Sequence, residues 1–304
     1  MKAKIIIILI FVTVGGNISA QQEAQFTQYI DNMLYYNPAY AGSRGAMNIN
    51  ALHRQQWVGI EGAPMTQTLS IHTPLKYESL GLGISVLNDR VGPLNQSWIN
   101  VDFSYSLRFK NHDGRLAFGL KGGVNLVNGD LSQLYTTDAN DPSLMQSYQN
   151  KILPNIGAGV YYHSTKWFAG IGVPRIVDNN ITAAQISYDD RRHYYAMVGG
   201  YFNVNRMLKI RPSLMYKLTT GAPFAIDGNV AFIFYDRFWL GANYRLQESA
   251  GGFFQYQLNN QFKLGYAFDI STSSLFRHNF GTHEIMISYD FNFSKEATTT
   301  PRYF

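Results

Sequence analysis

The most constraining feature of this sequence is its strict two-residue alternation. From Glu284 to Phe293 one parity carries Ile285, Ile287, Tyr289, Phe291 and Phe293, and the other carries Glu284, Met286, Ser288, Asp290 and Asn292. A period of two is the signature of a strand with unlike faces. The split recurs upstream. Phe224, Ile226, Val230, Phe232 and Phe234 oppose Asp227 and Asn229; Phe262, Leu264, Tyr266 and Phe268 oppose Lys263 and Asp269. Leu208, Ile210, Leu214 and Tyr216 oppose Lys209, Arg211 and Lys217, and Val101, Phe103, Tyr105 and Leu107 oppose Asp102, Ser104 and Arg108. Segments of this kind fall near residues 47–57, 66–72, 79–87, 97–109, 115–126, 153–163, 165–173, 191–203, 207–218, 223–235, 237–246, 250–258, 261–270 and 282–293. About fourteen antiparallel strands with an apolar outer face and a polar inner one describe an all-β transmembrane barrel.

The connections agree. Turns after even-numbered segments are short: Lys110–Gly114, Ser164-Thr165, Asn203–Arg206 and Asn259-Asn260. Long stretches, Val127–Ile152, Pro174–Asp190 and Ser271–Gly281, follow odd-numbered ones. An outer-membrane barrel with both ends in the periplasm has this asymmetry, whereas a soluble sandwich has no reason to gather its long loops at one end. Past the first twenty residues no run approaches the roughly 18–20 apolar residues of a spanning helix, so an inner-membrane helical bundle is excluded.

Composition separates the remaining classes. Charged residues make up only 15 % and aromatics 15 %, and there is no cysteine, hence neither a disulfide nor a lipidated cysteine. Lys2 and Lys4, the apolar run Ile5–Val14 and the small exit Ser19-Ala20 form a secretory signal, with cleavage expected near Ala20. Its removal lowers the formal charge from +5 to +3, too little and too scattered for a nucleic-acid surface. The expected organisation is a signal peptide over 1–20, an N-terminal helical or plug segment over 21–46, a barrel over 47–293 and a periplasmic tail over 294–304. In the second of these, Phe26, Tyr29, Ile30, Met33 and Leu34 have the spacing of a short amphipathic helix, which Asn37-Pro38 should stop.

Nothing in the sequence assembles a catalytic set, a metal site or a cofactor loop. No pair of histidines has the helical spacing of a zinc site; His278 and His283 merely flank one loop. Gly81-Leu82-Gly83, Gly157-Ala158-Gly159 and Gly170-Ile171-Gly172 lie inside strands, where glycine permits curvature and the close approach of a plug. The expected lumen charges, Lys121, Lys209, Arg211, Lys217, Arg245 and Lys263 with Asp102, Asp227, Asp269, Glu284 and Asp290, have mixed signs. That mixture predicts ion pairing across a filled interior rather than a pore of one sign. Trp57 is placed at the interfacial aromatic girdle, and Gly62-Ala63-Pro64 at a tight external turn.

The densest local pattern is Tyr29, then Asn37-Pro38-Ala39-Tyr40-Ala41-Gly42, then Arg54-Gln55-Gln56-Trp57-Val58-Gly59 with Gly62-Ala63-Pro64-Met65-Thr66, followed by Asp89-Arg90-Val91-Gly92-Pro93. With Pro154–Val160 and the closing Pro301-Arg302-Tyr303-Phe304, this pattern resembles the PorP/SprF outer-membrane proteins of the type IX secretion system of Bacteroidetes, along essentially the whole mature chain. The resemblance implies a non-enzymatic, cofactor-free component of protein export in the Gram-negative outer membrane. Its partners would be membrane lipid, a secreted adhesin-like client bearing a type B C-terminal domain, and periplasmic secretion-system lipoproteins. It also implies roles in surface attachment or gliding motility, with Tyr29, Asn37, Pro38, Ala39, Tyr40, Gly42, Arg54, Gln56, Trp57, Gly59, Gly62, Pro64, Thr66, Asp89, Gly92 and Pro93 as family-motif or partner-binding candidates. A porin or long-chain lipid transporter, and a structural scaffold held by the lipoproteins, are the alternatives.

Overall fold

The computed structural model describes residues 24–77, 79–110, 113–130, 147–183, 186–220 and 223–291. Fourteen strands form one closed antiparallel wall. They are β1 Met47–Gln55, β2 Met65–Pro74, β3 Leu80–Val91, β4 Leu94–Arg108, β5 Arg115–Asp130, β6 Ser147–His163 and β7 Trp167–Val173, then β8 His193–Gly200, β9 Leu208–Thr219, β10 Ala225–Phe234, β11 Phe238–Arg245, β12 Ser249–Gln257, β13 Phe262–Ser271 and β14 Thr282–Phe291. Strand β8 resumes past Tyr201 as Phe202-Asn203, which also pairs with β9. Each strand pairs with its sequence neighbours, and β1 closes against β14 from Met47↔Phe291 to Gln55↔His283. Closure leaves no edge strand with unpaired backbone, which a bilayer would penalise by several kcal/mol for each unsatisfied group. The number and order of strands are those expected from the alternation.

The parity assignments hold as well. Val101 and Ile285 are 51 % and 52 % exposed, while Asp102 and Glu284, their neighbours of opposite parity, are fully buried. A soluble protein would reverse these values. Here the apolar parity meets lipid, at roughly 25 cal/mol per Å² of apolar surface kept from water.

The long connections differ from expectation. A spanning strand needs about 9–11 residues, yet β4, β5 and β6 run to 15, 16 and 17. Most of the flanks of Val127–Ile152, expected as loop, are therefore strand: β5 continues to Asp130 and β6 begins at Ser147, with a register shift between Val127 and Gly129. Residues 131–146 lie outside the described set. Pro174–Asp190 likewise contains a hairpin, Asn179–Ala183 paired with Ile186–Asp190. Its base is tied to β6, where the Ile176 N–H donates to the Ile156 carbonyl at 2.7 Å and the Asn179 side chain donates to the Pro154 carbonyl at 3.1 Å. The barrel thus carries a raised flank on one side of its long-loop end. Within Ser271–Gly281, Ser274–His278 forms a 3₁₀ turn. The expected signal at 1–20 and tail at 294–304 fall outside the described residues.

The predicted amphipathic helix is three short pieces: a 3₁₀ turn Tyr29–Asn32, an α-helical turn Met33–Tyr36 and a second 3₁₀ turn Pro38–Tyr40. It has no polar outer face. Every residue from Phe26 to Ala41 is buried, Asp31 and Asn32 included. The segment lies inside the barrel, where a wall rather than water meets all its sides, so the amphipathic pattern described only its apolar half. As expected, Asn37 ends the α-helical turn, in an extended conformation that precedes proline readily.

Candidate functional site

The plug is seated on a track of glycines. A side chain added at Gly81 would place its Cβ 2.1 Å from the Ala41 carbonyl oxygen, and at Gly119 2.1 Å from the Ala39 nitrogen. At Gly159 it would lie 2.1 Å from the Asn37 side-chain oxygen, and at Gly172 2.2 Å from the Tyr36 carbonyl oxygen. These glycines stand on β3, β5, β6 and β7, and the plug, through its backbone at three of them and the Asn37 side chain at Gly159, occupies the space where their side chains would be. Replacing Gly119 by valine therefore leaves no space for Ala39. Such a variant is expected to lose several kcal/mol of stability and to release the plug, read as a large drop in unfolding temperature in detergent and new protease sensitivity near residue 39. An unchanged melting profile would refute the seat.

Each residue of the Asn-Pro-Ala-Tyr-Ala-Gly motif has a task in this seat. The Asn37 side chain accepts from the Ala39 N–H at 3.0 Å, capping the 3₁₀ turn, and donates to the wall carbonyls of Val160 at 2.9 Å and Ile171 at 3.3 Å. Pro38 opens the turn, where its missing N–H costs nothing. Tyr40 packs edge-on against His72 and Tyr161. The Ala41 carbonyl accepts from the Ser104 hydroxyl at 2.6 Å. Gly42 turns the chain with φ of +74° while its Cα faces Gly81, a position strained for any residue with a side chain.

Aromatic and aliphatic groups fill the rest. Phe26, Tyr35 and Tyr36 form edge-to-face pairs at 4.9–6.2 Å, and Tyr36 meets Tyr195 of the wall at 4.8 Å. The wall answers with inward Tyr161, Phe168, Met197, Met215, Ile233, Trp239, Phe253 and Met286, all buried. These residues were not singled out from the sequence. The available signal was their parity, since large apolar residues on the lumen side contradict a watery pore and mark where a plug must lie.

Around this core the lumen charges pair as their mixed signs implied. Arg54 reaches both Asp269 and Glu284 at 3.0 Å. Glu284 also accepts the Thr27 and Gln28 N–H groups at 2.9 and 2.8 Å, so one buried carboxylate ties wall arginine to plug backbone. Asp227 lies between Lys217 at 2.7 Å and Arg245 at 2.9 Å, Lys121 meets Asp102 at 3.2 Å, and Arg44 meets Asp290 at 3.3 Å. Lys263 pairs with Asp31 of the plug. Asp31 also accepts from the Gln255 side chain at 2.8 Å. Arg211 and Arg175 also stack on Trp239 and Trp98, at 4.7 and 4.8 Å. Lys209 departs from expectation: it sits at the short-turn rim, paired with the half-exposed Asp236.

The second motif, Arg54 to Thr66, forms a brace over the long-loop end. Val58 exchanges backbone hydrogen bonds with the β13–β14 loop, its N–H to Gly281 at 2.9 Å and its carbonyl from Phe280 at 2.8 Å. The Gly62 carbonyl accepts from Gly92 at 2.9 Å, both glycines having positive φ, and the Gln56 N–H donates to the Pro64 carbonyl at 2.9 Å. Gly59, with φ of +98°, lies beneath the Phe280 ring. The Thr66 hydroxyl donates to Asp89 at 2.6 Å, and Pro93 occupies the β3–β4 turn. Trp57 was expected in the outer girdle. Instead it has positive φ and lines a vestibule of about 210 Å³ inside the mouth, with Arg54, Gln56, Arg245, Glu248 and Ser273. The candidates therefore separate into two groups: Tyr29, whose hydroxyl lies 2.8 Å from that of Ser213, belongs with Asn37–Gly42 in the plug, and Gln56–Pro93 belong to the brace. Arg54 links the groups through its hydrogen bond to the Thr27 hydroxyl at 3.0 Å.

Comparison with known proteins places these features. The family model described as type IX secretion system membrane protein PorP/SprF matches residues 18–289. No curated protein matches the chain. Among solved structures, the monoaromatic hydrocarbon channel CymD is similar with a TM-score of 0.50 at 10 % identity, covering 84 % of this chain and 91 % of that one. The outer-membrane protein Omp33 of Acinetobacter baumannii has a TM-score of 0.48 at 8 % identity, covering 81 % of this chain and 98 % of that one. At 10 % identity the likeness to CymD concerns the fold alone, an outer-membrane barrel.

Proposed function

Because this chain belongs to the PorP/SprF family of type IX secretion system membrane proteins, we propose that it is a non-enzymatic accessory of export that holds one secreted, adhesin-like client at the cell surface. The client's type B C-terminal domain would dock on the outer mouth, and gliding motility would follow where that client is the adhesin. The observation that carries this reading is the filled lumen: buried aromatic groups and closed ion pairs occupy the interior, and what the barrel offers to a partner is its end faces. Of these, the long-loop end supports docking best, because the extensions of β5 and β6 and the tethered hairpin raise a flank beside the vestibule. The short-turn end is left for periplasmic lipoproteins of the secretion machinery.

Deleting residues 131–146 while retaining the paired strands on either side tests the docking face. The expected result is release of the client into the medium from cells whose barrel assembles normally. A client that stays attached to such cells would sink the assignment. The porin and lipid-transporter readings predict steady conductance or lipid uptake by the intact barrel, whereas the accessory reading predicts a silent barrel that co-purifies with a secreted protein. The scaffold reading predicts general loss of secretion on deletion rather than loss of one client.

A further inference from the structure

The direction in which the plug runs through the barrel carries an inference that does not depend on the identity of any client. With the short turns on the periplasmic side, β1 begins at the periplasmic rim, and Arg44, just before it, pairs with Asp290 near the periplasmic end of β14. Asp31 still pairs with Lys263, the second residue of β13 from its periplasmic end, but the contacts of the earliest described residues lie further outward. Thr27 and Gln28 are held by Glu284, the third residue from the outer end of β14. The Gln25 side chain accepts from Lys217 at 2.8 Å, near the outer end of β9, and donates at 3.3 Å to Glu248, which lies in the external turn between β11 and β12. Glu248 also lines the vestibule. Expecting both ends of the chain on the periplasmic side therefore fails for the first described residues.

We infer that the chain is threaded through its own barrel, so that the beginning of the plug, at Ala24 and Gln25, opens at the outer mouth beside the vestibule and is presented to the exterior. One physical consequence supports this: a chain held at Gln25 beside an external turn cannot remain joined to a signal anchored in the inner membrane, since the lumen and the periplasm would both have to be spanned by the residues between Val14 and Ala24. The threaded path thus demands the cleavage that the sequence predicts. It gives any partner at the mouth direct contact with the end of the plug, and with it a mechanical route to the ion pairs below.

The chain has no cysteine, so a single thiol can report position. Ala24→Cys, with Glu61→Cys as an external and Lys166→Cys as a periplasmic reference, would be treated in intact cells with a maleimide too large to cross the outer membrane. Barrel assembly would be verified by heat-dependent gel migration. The expected result is labelling of the Ala24 and Glu61 variants in intact cells, and of the Lys166 variant only once the membrane is permeabilised. Labelling of the Ala24 variant only after permeabilisation would overturn the inference. Should the thiol at residue 24 be shielded in both conditions, the double variant Gln25→Cys with Glu248→Cys decides. A short bifunctional thiol reagent should join the two positions within one chain, and failure to join them in an assembled barrel would equally overturn it.

Discussion

Deleting residues 24–41 is expected to turn a silent barrel into a conducting one. The wall closes without the plug, because its strands pair with each other and β1 pairs with β14. Only the contents of the lumen are lost, among them Phe26, Ile30, Met33, Leu34, Tyr36 and Tyr40, each at most 2 % exposed. Burial of such side chains contributes about 1.5–3 kcal/mol apiece, so the deletion also removes a large share of the internal packing. In planar bilayers the full chain should show little steady current and the deletion variant discrete openings. An emptied barrel that assembles and stays closed would show that the plug is not what seals it. The lining left behind, with Lys121, Arg211, Lys217, Arg245 and Lys263 against Asp102, Asp227, Asp269 and Glu284, has charges of both signs, so weak ion selectivity is expected.

The second large effect is expected from Arg54→Met. The substitution leaves Asp269 and Glu284 facing a buried site without their shared cation. Breaking one side of a buried ion pair costs about 3–5 kcal/mol, because the remaining charge is neither solvated nor matched. Since Glu284 also holds the Thr27 and Gln28 amides, the loss should appear twice, as a lower unfolding temperature in detergent and as earlier proteolysis of the plug. Adding Glu284→Gln to Arg54→Met should recover part of the stability, since fewer unmatched charges remain while an acceptor for one of the two amides is kept. Strictly additive losses in the double variant would show that Arg54 and Glu284 do not act as a pair.

Much of this architecture was legible because lipid imposes a simple code. In β14 each outward residue must be apolar over the full thickness of the membrane, and the resulting parity fixes face, register and strand number together. The lumen is not governed by one solvent, and there the sequence was harder to read. Phe26, Tyr29, Ile30, Met33 and Leu34 spelled a helical stripe, but the opposite face, with Asp31 and Asn32, is buried too, and the predicted helix is broken into single turns by the shape of its container. Trp57 followed the statistics of girdles, whereas its position is set by backbone pairing between two loops far apart in sequence, a contact no local pattern encodes. The glycine triplets were read as permitting curvature and the close approach of a plug, yet only the fold shows that Gly81, Gly119, Gly159 and Gly172, on four strands, line up beneath one length of plug, while Gly157 faces Pro174 instead.

That alignment has a mechanical meaning. A hollow tube under a sideways or axial pull ovalises, and its strands shear at their hydrogen bonds. A tube whose filling touches bare wall backbone at Gly81, Gly119, Gly159 and Gly172, and is pinned by Glu284 near one end and Asp290 near the other, behaves as a solid rod. Force applied at the outer face would be carried through the rod's cross-section to the opposite rim. The stiffness of the assembly is then set by the fit between plug and wall, and a single methyl group on the glycine track is enough to spoil it.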